Sequence, residues 1–263
     1  MKKLKDDTSK RGLLSFCWGM GTLTARLEEI LRGSLHVGEE VKGVERMVSG
    51  QFRVNRGTSN CSELADAVII ATPAHEAASI LTSLDPEIAT PLSAIPYAPI
   101  AVVHTVFTES HLSRDLSGFG LLISRREGIR LLGSIWSSSI FPGRAPKGEV
   151  LLTNYIGGAT DPHLLELSDD EIRLEVLKGL EQAMGITAIP RHCFVRRIGE
   201  AIPQYVVGHR SRIQQIEARL ATLPGIFLTG NYFTGVSVAE TISHARAKVD
   251  DVMDYLKTKA PQL

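Results

Sequence analysis

Gly230-Asn231-Tyr232-Phe233-Thr234-Gly235-Val236-Ser237-Val238-Ala239-Glu240 follows the short apolar run Ile226-Phe227-Leu228. A strand, a glycine-bounded loop and a helix start are written there in one line. Ser237 and Glu240 stand at capping-box spacing, which fixes the helix start at the loop. From Val238 the apolar positions Ile242, Ala245, Val249, Val252 and Leu256 continue along one helical face. A junction of this kind aims unpaired backbone N–H groups, and the positive end of the helix dipole, at whatever lies above it. The reading is an anion or cofactor cradle in an α/β domain, or an ordinary glycine loop before a packing helix.

Composition narrows the rest. The chain has 263 residues with 29 basic and 29 acidic side chains, so no charge excess favours nucleic acid. Its length suits one large domain or two small ones. Cys17, Cys61 and Cys193 are far apart and match no zinc or disulfide pattern, which implies a reducing, cytoplasmic setting. Residues 1–11 read as a polar tail. Asp6 and Asp7 interrupt the basic start, so a signal peptide is not expected.

Along the chain, Thr24 to Leu31 reads as an amphipathic helix stopped at Gly33, and Val37 to Val54 as two strands around Ser49-Gly50. Ala67 to Ala71 is a continuous apolar run, expected to be a strand buried on both faces, with Thr72 as N-cap and Pro73 as first helical position of a helix toward Leu84. Between Pro96 and Gly158 four β-like runs are punctuated by glycine and proline: Ile100–Phe107, Phe119–Ile123, Leu131–Trp136 and Val150–Ile156. They imply an antiparallel sheet module. Ser168 and Glu171 cap a helix ended by Gly185; a strand at Cys193–Ile198 and a helix at Ser211–Leu220 follow. The fold expected is α/β plus α+β. Residues 12–90 and 225–263 form a partial Rossmann-like domain, and 91–224 an inserted, largely antiparallel sheet domain. His209 reads as a packing group and Arg144 as a solvated loop arginine. No metal-ligand spacing occurs among the eight histidines.

Several segments resemble flavin-dependent protoporphyrinogen oxidases in the same order. They are Ser15-Phe16-Cys17-Trp18-Gly19-Met20-Gly21-Thr22-Leu23, Ile95 to Val103, Gly118-Phe119-Gly120 and Phe141 to Pro146. Ala201-Ile202-Pro203-Gln204-Tyr205 with Gly208-His209, and the loop from Gly230 to Val238, complete the series. The resemblance implies an FAD-binding domain of amine-oxidase type and oxidation of a porphyrinogen by oxygen, through FAD, in haem synthesis. The substrate would be protoporphyrinogen IX or coproporphyrinogen III. It also places Val41 beside the adenine, Val236, Ser237 and Val238 beside the flavin and pyrophosphate, and Leu122, Ile135 and Tyr155 in the porphyrinogen pocket. A flat macrocycle suits apolar walls of that kind.

The chain departs from the family's pattern in named places. No G-x-G-x-x-G segment with its ribose-binding acid is present. Trp18 stands where the first motif has glycine, and Ile198 where a tryptophan is usual. The expected consequence is apolar surface left open around 66–80 and 226–250. A truncated or split enzyme completed by a missing N-terminal half or partner chain, with peripheral membrane contact as in the family, is one alternative. A porphyrin-binding module without oxidation, or a flavin amine oxidase or desaturase relative, are the others.

Overall fold

The structure is a computed structural model describing residues 13–57 and 62–259. The tail expected at residues 1–11 and Cys61 lie outside the described residues. The elements run α1 (Gly21–Leu31), β1 (Val41–Arg46), β2 (Phe52–Arg56), β3 (Ser62–Ala65), β4 (Val68–Ile70), α2 (Ala74–Leu81) and α3 (Pro86–Ser93). Then follow β5 (Tyr97–Thr108), β6 (Gly120–Leu122), β7 (Leu131–Ile135), α4 (Ser137–Ile140), β8 (Glu149–Gly157), α5 (Asp169–Met184) and β9 (His192–Pro203). The chain closes with α6 (His209–Leu220), β10 (Ile226–Leu228) and α7 (Val238–Lys259).

Two cores organise these elements. The first gathers Phe52, Ile70, Leu81, Leu92, Ile216 and Leu228 with their neighbours, around the antiparallel β1-β2-β3 sheet and the parallel β10-β4 pair. Helix α6, expected beside the antiparallel sheet, packs here on α3. Arg219 of α6 binds Asp85, the N-cap of α3, through Nη2 at 2.5 Å and Nε at 3.1 Å. Helix α3 itself was not anticipated. Asp85-Pro86 is a sound start signal, a capping side chain followed by proline at the first helical position, but Pro91, five residues after Pro86, breaks the periodic pattern.

The second core lies between α5 and one face of an antiparallel sheet ordered β6-β7-β8-β5-β9. Its side chains include Val103, Phe107, Leu131, Leu152, Ile172, Val176 and Leu180. Strand alternation sends Val103, Thr105 and Phe107 inward toward α5, and Val102, His104 and Val106 to the opposite face. Gly179 allows α5 to close down, since a Cβ there would stand 2.7 Å from Leu131 Cβ. The Ser168–Glu171 capping box forms as expected, and Gly185 ends the helix at φ 68°.

Two local expectations are corrected. Strand β4 is not buried on both faces: Val68 and Ile70 face the first core, whereas Ile69 points from the opposite face and is 45% exposed. Thr72 does not cap α2; Pro73 is the N-cap, and the Thr72 hydroxyl turns to the Pro73 carbonyl at 3.4 Å. Among the described residues no helix is long and apolar enough to cross a membrane.

Candidate functional site

Strands β4 and β10 run parallel with Val68 opposite Ile226 and Ile70 opposite Leu228, so both carboxyl ends open on the same side. In open α/β sheets that crevice is where ligands collect. A cleft of about 420 Å³ lies there, lined by Ala71, Pro73, Gly230, Asn231, Val236 and Val238, with Leu23 of α1 at its lip. The loop that forms its floor is held from below. A Cβ on Gly230 would stand 2.5 Å from the Tyr232 ring, so glycine lets the chain fold Tyr232 fully into the core. Burial pushes the Tyr232 phenol far up, and it stays protonated. His209 Nε2 donates to the Tyr232 carbonyl at 2.9 Å, which places the proton on that nitrogen. Tyr205 stacks on His209 at 4.3 Å, and its hydroxyl donates to the Asn231 carbonyl at 2.6 Å. The Ile202–His209 segment is therefore the buttress of the Gly230–Val238 loop.

The start of α7 partly fits a flavin. Ser237 Oγ accepts from the Glu240 amide at 3.2 Å, while Glu240 Oε2 accepts from the Ser237 hydroxyl at 2.6 Å and its amide at 3.3 Å. Glu240 thus takes the cap amide for itself and adds negative charge. The Val238 and Ala239 amides have no backbone acceptor among the described residues and remain for an anionic ligand. Val236 and Val238 line the cleft, whereas Ser237 faces its own cap. Val41 stands apart at the start of β1, packed against the first core. The residues present suit one wall of a flavin site.

The second site is the sheet face turned away from α5. Cross-strand register aligns Leu122 with Gly133, Gly133 with Tyr155, and Tyr155 with Val102. The next row runs Gly120, Ile135, Thr153 and His104. Leu122, Ile135 and Tyr155 thus meet in one hollow of about 370 Å³, with Phe119, Gly120 and Gly133. Gly133 is required there, because a Cβ would stand 2.6 Å from the Leu121 carbonyl oxygen. Leu122 is 94% exposed, and burial raises the Tyr155 phenol, so the surface is apolar and uncharged at neutral pH. His104 Nδ1 lies 3.1 Å from Thr153 Oγ1, which lies 2.7 Å from Ser137 Oγ. Burial lowers the His104 pKa, so this chain of hydroxyls and imidazole is neutral at pH 7.

Arg144 borders a further hollow on this face, with His104, Leu151, His192 and Phe194. It is not a solvated loop side chain. Its Nη2 donates to Ser15 Oγ at 2.7 Å and to the Phe16 carbonyl at 2.9 Å. The Phe141–Pro146 motif is therefore tied to the Ser15–Leu23 motif, two segments far apart in sequence. Arginine supplies several fixed donors, which a lysine cannot match. Sequence reading missed this because nothing local announces a partner so distant. The remaining thiols carry no pattern: Cys17 is exposed, and Cys193 is half-buried against the second core.

The chain matches the flavin containing amine oxidoreductase family over residues 2–253, and it belongs to that family. It is 33% identical to protoporphyrinogen oxidase 1, chloroplastic, of Spinacia oleracea over 254 residues, covering 92% of this chain and 45% of that protein. It is 35% identical to coproporphyrinogen III oxidase of Bacillus subtilis (strain 168) over 193 residues, covering 73% of this chain and 41% of that protein. A crystal structure from Exiguobacterium sp. 255-15, named as a candidate protoporphyrinogen oxidase, superposes with TM-score 0.79 at 26% identity. That superposition covers 92% of this chain and 52% of the other. A putrescine oxidase variant shares the fold, with TM-score 0.71 at 14% identity over 90% of this chain and 53% of its own. The chain spans about half the length of the curated relatives it matches. The amine-oxidase type of flavin fold, and flavin as the family's cofactor, stand on these likenesses.

Proposed function

We propose that this chain serves the FAD-dependent oxidation of a porphyrinogen, protoporphyrinogen IX or coproporphyrinogen III, to its porphyrin in haem synthesis in the cytoplasm. The observation that carries the reading is the convergence of Leu122, Ile135 and Tyr155 on one open, apolar sheet face. The ring of a flat macrocycle lying there would be gripped by dispersion and apolar burial. The flavin, when bound, supplies the redox chemistry, accepting electron pairs from the porphyrinogen and passing them to oxygen. The chain's own part is positional. Val236 and Val238 offer apolar wall, and the Val238 and Ala239 amides offer donors to the cofactor. Val41 belongs to the adenine end of that site, and Ser237 holds the α7 cap. The neutral His104–Thr153–Ser137 chain adds no charge beside the substrate.

The 420 Å³ cleft is walled by α7, α1 and the loops that follow β4 and β10. Further polypeptide, from the same or a partner chain, closes it over the cofactor in this reading. A second reading, porphyrin binding without oxidation, draws its support from the openness of that cleft. An aerobic assay for porphyrin fluorescence from each porphyrinogen, with and without added FAD, separates the two. The expected result is FAD-dependent porphyrin formation, lost in Tyr155→Ala. Porphyrin binding with no FAD-dependent turnover would favour the second reading, and neither activity would remove both.

A further inference from the structure

Arg196 and Arg197 are consecutive residues of β9, so they face opposite sides of the sheet. Arg197 turns toward α5, where it binds Asp169 and the Leu167 carbonyl at that helix's N-terminus. Its role is structural. Arg196 turns to the open face and enters no ion pair or side-chain hydrogen bond among the described residues. Register places it opposite Val102 of β5, which is itself opposite Tyr155 of β8. The whole row across the sheet is thus Leu122, Gly133, Tyr155, Val102 and Arg196. Four members are apolar or neutral, and the last is a guanidinium.

Its surroundings make this position unusual for an unpaired cation. On its own strand the neighbours on that face are Phe194 and Ile198, both exposed. The diagonal neighbours across β5 are Ile100 and His104. No carboxylate side chain stands at any of these positions. Strands lie about 4.8 Å apart, so Arg196 is about 10 Å from Tyr155 along the row. A ligand lying flat across Tyr155 and Val102 would bring its margin over the guanidinium.

We propose that Arg196 is the carboxylate anchor of this face, binding an acidic side chain at the edge of a flat apolar ligand. The inference rests on the porphyrinogen reading and deepens it, because porphyrinogens carry carboxylates on short arms around an apolar ring. Arginine matches a carboxylate with parallel N–H donors, which fixes orientation as well as affinity. The anchor would set which edge of the macrocycle points toward β9, and so which ring edge remains over Leu122 and Ile135.

The test is a fluorescence titration of the purified chain with coproporphyrin III and, separately, with its methyl ester. The wild-type chain is expected to bind the free acid more tightly. Arg196→Gln is expected to weaken the free acid about tenfold while leaving the ester unchanged, and Arg196→Lys to recover part of the loss. Arg197→Gln, which loosens the α5 contact, should leave the preference for the acid in place. If Arg196→Gln binds acid and ester as the wild type does, the anchor is wrong while the porphyrin reading stands. If the wild-type chain binds neither probe, the porphyrin reading fails and the anchor falls with it.

Discussion

Gly133 carries no side chain, yet it sets how close β6 can lie to β7. A methyl group there would press on the Leu121 carbonyl from 2.6 Å. Gly133→Ala is therefore expected to lower stability by about 1–3 kcal/mol in denaturant unfolding, and to weaken porphyrin binding by parting Leu122 from Tyr155. An unchanged midpoint would show that β6 yields freely. Arg144 invites a different measurement, since its partners Ser15 and Phe16 lie in another motif. A double-mutant cycle between Ser15→Ala and Arg144→Ala should give a coupling of about 1 kcal/mol, and strict additivity would deny the contact. At this scale the sequence was partly legible. Leu122, Ile135 and Tyr155 were named through family likeness, because no spacing rule tells which strands become neighbours. Arg144 and Arg196 escaped for the same reason. A loop arginine and a strand arginine look ordinary until the register is known.

Helices whose ends carry local chemistry were read well. The Ser168–Glu171 and Ser237–Glu240 boxes both form, with the N-terminal residue's hydroxyl and the glutamate exchanging hydrogen bonds across one turn. Helix α3 shows the opposite case, in which a capping aspartate was overlooked. Burial works to raise the Asp85 pKa. The Arg219 hydrogen bond, the Glu87 and Ile88 amides and the Arg219 charge together outweigh it, and hold the carboxyl below its ordinary value. A depressed folded-state pKa contributes stability above the unfolded value, and that stability is lost as pH falls through the folded one. Asp85 should thus sensitise the first core to acid below about pH 4. Asp85→Asn is expected to cost about 1–3 kcal/mol at pH 7 and to flatten the acid limb of a stability-versus-pH curve. An equally steep limb in the variant would assign the acid sensitivity to other carboxylates.

Across the whole molecule, apolar side chains remain in contact with solvent around the cleft at the carboxyl ends of β4 and β10. Helices α1 and α7 bury no residue, and Ile242 of α7 is 52% exposed although it lies on the apolar face. Of the open apolar surface expected around 66–80 and 226–250, Ile69, Val236, Val238, Ile242 and Val249 are exposed, whereas Ile70, Ile80, Ile226, Leu228 and Tyr232 are buried in the first core. The periodicity of α7 was correct as to helix and face. The depth of burial was not legible, because it depends on what packs against that face. The chain is expected to enhance the emission of a hydrophobic dye and lose that enhancement when a complementing polypeptide docks; absence of dye binding would mean these faces are already covered.

Whether the macrocycle lies on the sheet face beside Tyr155 can be read from one tryptophan. Trp136 follows Ile135 and packs beneath Gly118, whereas Trp18 is far exposed in another segment. In a Trp18→Phe background, titration with coproporphyrin III should quench Trp136 emission saturably. Leu122→Asp, which sets a charge on the apolar row, should shift that curve about tenfold or more to higher concentration. Saturable quenching untouched by Leu122→Asp, or no quenching while porphyrin still binds, would place the ligand away from this sheet face.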